Sequence, residues 1–171
     1  MKKIFILGLV VLVANVFFTS CSKDEDTIKQ AFKYNGKTYK IDKGYYVPYG
    51  EVSTGVYNID VILVSNEVEG DTETGNAVYF EIFTNNEDQL PAGTYTFNQS
   101  EDAFTFDIGR FFLNYNFGAD EGTIVNVKSG TVKVEKSGTT YKITIDCVSS
   151  SDLKIEGSFE GSLTLDVGKK K

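Results

Sequence analysis

From about Ala31 to Val167, short runs of β-branched and aromatic residues alternate with clusters of Gly, Asn, Asp and Ser. No stretch carries the 3.6-residue period of an amphipathic helix. The pattern predicts an all-β domain. Its clearest piece is a hairpin in which Phe32 and Tyr34 precede Asn35-Gly36, and Tyr39 and Ile41 follow at alternate positions. Asn-Gly tolerates the positive φ angles of a tight type I′ turn. Gly44, Pro48 and Gly50 then predict a loop, and Tyr45, Tyr46 and Tyr49 fall within it. In Val56–Ser65 both parities are apolar, Tyr57, Ile59, Val61 and Leu63 against Val56, Ile62 and Val64, so this strand is expected to be covered on both faces or central in its sheet.

Further strands are expected at Asn76–Thr84, Thr94–Phe97, Ala103–Ile108 and Phe111–Phe117, with Gly109-Arg110 as the turn between the last two. The final third reads as a meander through Thr123–Lys128, Thr131–Lys136, Thr140–Cys147 and Leu153–Leu165, with turns at Ser129-Gly130 and Ser137-Gly138. In the last run Gly157 and Gly161 interrupt an apolar parity, which predicts a bend or the close approach of another backbone. About nine or ten strands suit one domain able to bury its own core, with antiparallel neighbours in a β-sandwich or flattened barrel. Gly36-Lys-Thr-Tyr-Lys-Ile41 and Gly138-Thr-Thr-Tyr-Lys-Ile143 are alike, as two turns each followed by an alternating strand would be.

The start of the chain differs. Met1-Lys2-Lys3 is a basic segment, Ile4 to Phe18 is apolar but interrupted by Asn15, and Phe18-Thr19-Ser20-Cys21 follows. A spanning helix needs about 20 apolar residues, so residues 1–20 are expected to be a cleaved signal peptide and not a retained span. Thr19-Ser20-Cys21 resembles the lipobox of bacterial lipoproteins, which implies lipidation of Cys21 and attachment to the membrane through that lipid. Ser22-Lys23-Asp24-Glu25-Asp26 is similar to the acidic export segment of Bacteroidota lipoproteins, which implies an outer-membrane location with exposure at the cell surface. Residues 21–30 then form an anchored tether, 31–167 the β-domain and 168–171 a basic tail. Leu90-Pro91-Ala92-Gly93-Thr94-Tyr95, Gly130-Thr-Val-Lys-Val134 and Ile155-Glu-Gly-Ser-Phe-Glu-Gly-Ser-Leu163 resemble segments of small Bacteroidota surface lipoproteins, some lipocalin-like or calycin-like. The resemblance implies an all-β fold and that compartment, and it transfers no catalytic residue.

Charge narrows the partners. Removing residues 1–20 takes two of the 17 basic residues and none of the 24 acidic ones, leaving a formal charge of −9. Phosphate-rich partners are repelled, so nucleic acid is not expected, and an anionic membrane gives no electrostatic help beyond the lipid. The expected partners are a small apolar molecule, a glycan or another envelope protein.

The chain has no histidine, which removes Ser-His-Asp and Cys-His catalysis and the usual nitrogen ligands of zinc and haem. Neither a cofactor nor a metal is expected, and the domain reads as non-enzymatic. Cys147 shares a strand parity with Tyr141, Ile143 and Ile145 and is expected to be a buried thiol. Glu81 and Asp107 are carboxylates of the type that serve glycoside hydrolysis, but on alternating strands they read as solvent-facing. The acids Glu67, Glu69, Asp71, Glu73, Asp120 and Glu121 lack EF-hand spacing and read as solvated loops. Arg110, the one arginine, reads as a solvated turn residue. Tyr45, Tyr46 and Tyr49 remain the candidate ligand-binding residues, as rings that can stack on a sugar face or line an apolar pocket.

Overall fold

A computed structural model describes residues 28–68 and 73–166. The signal peptide, Cys21, the acidic segment after it, Glu69, Asp71 and the basic tail lie outside the described residues.

Ten strands form one mixed sheet: β1 Ala31–Tyr34, β2 Lys37–Lys40, β3 Lys43–Ser53, β4 Val56–Val64, β5 Thr74–Thr84, β6 Gly93–Phe97, β7 Thr105–Asn116, β8 Glu121–Ser137, β9 Thr140–Ser149 and β10 Lys154–Leu165. The expected all-β single domain is what is found. Most neighbours are antiparallel, but β10 with β3 and β6 with β7 pair in parallel, so the sheet is not purely antiparallel. Strands β3, β4, β5, β7, β8, β9 and β10 follow one another into a ring that returns to β3. The ring is not a regular barrel. The short parallel seam joins Leu163–Leu165 to Gly44–Tyr46, while the earlier part of the same β10 edge carries β1. On the far side β8 pairs first with β7 and later with β6.

Local chemistry explains these elements. Asn35 and Gly36 take φ of 47° and 74°, as the type I′ turn requires, and join β1 to β2. The loop expected around Gly44, Pro48 and Gly50 is instead strand β3. Gly44 faces inward where a Cβ would stand 2.5 Å from Leu163 Cδ2 and 2.9 Å from Phe159 Cζ, so glycine here makes room for packing. Pro48 stands where β3 has left β10. The Asp166 N–H donates to Tyr46 O at 3.0 Å, and a parallel ladder would next draw on the N–H two residues on, which proline lacks. Among the described residues the ladder stops there.

Two further expected turns are continuous strand. Gly109-Arg110 lies within β7 because Gly109 faces Phe80 and Val127, where a Cβ would be 2.8 Å from Val127 Cγ2. Ser129-Gly130 lies within the 17-residue β8, paired with Val148 and Cys147 of β9 and just after a bulge between Val127 and Ser129, where β8 exchanges β7 for β6. Gly157 bears out the expected close approach of another backbone, since a Cβ there would be 2.8 Å from Ala31 O of β1.

Inside the ring, Phe80 packs edge-on against Phe106 and Phe111 at centroid distances of 5.3 and 5.8 Å, and Phe32 from β1 meets Phe111 at 4.9 Å. These four rings and Phe159 are all buried. They occupy the space in which a lipocalin-like hollow would lie. Each such side chain contributes about 1.5–3 kcal/mol relative to exposure. Cys147 is a free, buried thiol in the same core, and burial pushes its pKa up to about 12, which leaves it un-ionised at neutral pH.

Candidate ligand-binding face

The two outer surfaces of the ring are unlike. Strands β8, β9 and β10 alternate buried and exposed positions, and their outer residues are charged, with ion pairs such as Lys133–Glu135 at 3.0 Å and Lys154–Asp146 at 3.8 Å. That surface is a solvated one, and its pairs contribute little to stability.

Across β3, β4, β5 and β7 the outer positions line up in register. One row runs Tyr45, Ile62, Tyr79 and Arg110, and a second runs Lys43, Val64, Ala77 and Phe112. A third runs Val47, Asp60, Glu81 and Ile108. The second row continues to Ile124 of β8, which is 43% exposed. Apolar side chains on the solvent side of four adjacent strands leave a groove of about 410 Å³, walled by Ile62, Val64, Val68, Ala77, Phe112 and Phe117, with Tyr79, Arg110 and Asp166 at its rim. The expectation that β4 is covered on both faces or central is met by its place between β3 and β5.

Beside the groove the third row holds a feature that cross-strand energetics disfavours: Asp60 and Glu81 stand directly opposite each other. Asp60 is only 6% exposed. Tyr79 Oη donates to Asp60 Oδ1 at 2.9 Å, and Asn58 Nδ2 donates to Glu81 Oε1 at 3.0 Å. Burial raises the Asp60 carboxyl above its ordinary range, and the Tyr79 and Tyr49 hydroxyls that bond to it offset this only in part. Glu81 is raised too, first by burial and then by the negative charges of Asp107 and Asp60. Burial, then Asp60 and Glu81, hold the Tyr79 hydroxyl protonated well above its usual range. The Asp107 Oδ1 atom is buried without a hydrogen-bond partner.

Because the fold favours the protonated form of Asp60, native protein holds more protons than the unfolded chain between the ordinary and the raised pKa. Stability therefore falls as pH rises through that window, and the penalty persists at neutral pH. Asp60→Asn removes the charge and keeps an oxygen for Tyr79. We expect it to raise stability at pH 7 by on the order of 1 kcal/mol, with the gain shrinking as pH falls through the raised pKa and gone below about pH 4. Urea titrations of both proteins at the two pH values check this.

The three candidate tyrosines do not form one cluster. They lie on strand β3, not in a loop, and alternation sends them to opposite sides. Tyr45 and Tyr49 belong to the outer face, Tyr49 with 67% of its surface exposed. Tyr46 points the other way, against the core, and lines a separate opening of about 490 Å³ with Pro48, Lys136 and Tyr141. Glu81 and Asp107, separate candidates in the sequence, are brought within electrostatic reach of each other. Arg110 is exposed on strand β7 at the groove rim. Among the described residues no group of three or more acidic or cysteine side chains is placed to hold a metal ion.

Asp60 and Asn58 escaped sequence reasoning, although a signal was present: they are the polar residues in a strand otherwise apolar on both parities. No family model matches this chain, and neither a curated protein nor a solved structure matches it.

Proposed function

We propose that this chain is a lipid-anchored envelope lipoprotein, cleaved before Cys21 and displayed at the outer membrane, whose β-domain binds a ligand without catalysis. The ligand lies on the outer face of β3, β4, β5 and β7. One observation carries this reading: an apolar groove and sunken polar groups share that face, while the opposite outer surface is charged and solvated. A solvated sheet face has no need of Ile62, Val64 and Phe112, and contiguous exposed apolar surface marks binding sites. The filled interior supports a ligand held outside the ring and not within it.

The test has two parts. Cys21→Ala is expected to move the full-length protein from the membrane fraction to the soluble one, and retention at the membrane overturns the anchor. Native mass spectrometry of wild type and Phe112→Ser is expected to show a co-purifying ligand only with the former; equal retention by both places the ligand elsewhere. A second reading, an accessory subunit of an outer-membrane or surface assembly, is favoured by the edge of β3 after Tyr46, unpaired among the described residues, where Tyr49 is joined by Val52 at 46% exposure.

A further inference from the structure

We propose that the ligand of the groove is a carboxylate with an apolar body: its head pairs with the Arg110 guanidinium at the rim, and its body lies against Val64, Ala77 and Phe112. The inference rests on the ligand-binding reading above and names the chemistry of the ligand.

Arg110 is the one arginine of the chain, and it lines the groove directly. Among the described residues its guanidinium enters no ion pair and no hydrogen bond. Acids are not scarce, since they outnumber basic residues by 24 to 17. Register keeps them away. Directly opposite Arg110 stand Tyr79 of β5 and Asn126 of β8, and its neighbours along the outer face of β7 are Ile108 and Phe112, so none of the four carries a charge. Glu81, on the diagonal, is bonded by Asn58 of β4, on the side of β5 away from β7. The fold thus sets a guanidinium beside apolar surface without an internal acceptor, and its fork of N–H donors matches a carboxylate bidentately.

The groove supplies the rest of the recognition. Its volume of about 410 Å³ falls within the range of about 300–1,000 Å³ that small molecules occupy. Its aromatic wall stands ready without a ligand: Phe112, Tyr115 and Phe117 pack on one another at centroid distances of 5.1 to 5.6 Å, and Tyr115 Oη donates to Asp120 Oδ1. A wall already ordered loses little entropy when an apolar body settles on it. Phe112 lies two residues from Arg110 on the same face, so the apolar wall and the cation are adjacent. One guanidinium neutralises a single negative charge, and Glu81 on the diagonal and Asp166 at the rim oppose a second. That favours a carboxylate over a doubly charged phosphate monoester.

Four probes with eight-carbon chains separate the contributions: octanoate, octyl phosphate, octylammonium and neutral octyl glucoside, titrated calorimetrically into the full-length protein below their micelle concentrations. Octanoate is expected to bind tightest, about tenfold tighter than octyl glucoside. Arg110→Gln alters an exposed side chain that bonds to nothing within the fold, and it is expected to abolish that advantage while leaving octyl glucoside binding unchanged. Phe112→Ser is expected to weaken both. Equal binding of octanoate and octyl glucoside overturns the proposal while the groove reading stands. An octanoate advantage that survives Arg110→Gln overturns it as well, because the head then sits elsewhere. Tightest binding by octylammonium or octyl phosphate overturns the carboxylate. If none of the probes binds, the proposal falls together with the reading of the groove.

Discussion

Phe111→Ala is expected to lower the stability of the domain by about 3–5 kcal/mol, enough to unfold much of it. Phe111 is fully buried and is the ring on which two others converge, Phe80 from β5 and Phe32 from the β1–β2 hairpin. Truncation leaves a void facing both. Removing each edge-on ring pairing adds about 0.5–1.5 kcal/mol to the transfer cost. Phe112, one residue on, points to the outer face and is half-buried, so Phe112→Ala is expected to cost less than about 1.5 kcal/mol. Guanidinium titrations of the two variants compare them directly. Similar losses would contradict the assignment of inner and outer faces on β7, and with it the groove.

Gly130→Ala comes next in expected size, about 3 kcal/mol or more, although it adds a single methyl group. Gly130 has φ of +128°, a conformation that L residues rarely adopt, and an added Cβ would stand 2.4 Å from Asp146 O and 2.5 Å from Cys147 Cα. Both obstacles are backbone atoms of the paired strand β9, so no side-chain rotation relieves them. Gly55→Ala separates strain from collision. Gly55 also has positive φ, at 74°, but nothing lies within 4 Å of its virtual Cβ, and about 1 kcal/mol is expected. Thermal unfolding of both variants against wild type measures the difference. Equal shifts would mean that β9 yields at Asp146 and Cys147 and that β8 does not need its close approach there.

These glycines show where the sequence is legible and where it is not. Asn35-Gly36 reads correctly because both residues favour the positive φ that one turn type requires, and the information is local. Gly109, Gly130 and Gly44 look like the same punctuation but answer to distant partners, whereas Gly50 has a φ of 96° and nothing near its virtual Cβ. The distant partners are Phe80 and Val127 for Gly109, β9 for Gly130, and Phe159 and Leu163 for Gly44. A residue chosen for what crosses over it is indistinguishable, along the chain, from one chosen for a bend. Hence two expected turns became continuous strand and one expected loop became β3.

The candidate site was legible in parts. Glu81, Asp107 and the exposed tyrosines stood out as chemistry, and β4 stood out as apolar on both faces. Their juxtaposition depends on register, which pairs Asp60 with Glu81 and carries Tyr45 and Tyr49 away from Tyr46. One residue of slip reverses every side chain, so no reading of single strands supplies it.

The parallel seam between β3 and β10 joins residues near 44 to residues near 163, almost the whole domain apart, through three register pairs. Pairings of such separation carry the greatest loop-closure entropy and form after the local hairpins that shorten the path between them. The domain is therefore assembled as an open meander and then latched. Among the described residues the latch is short, and Pro48 lacks the N–H that would extend it, so the ring holds its shape through the aromatic interior more than through the bonds that close it.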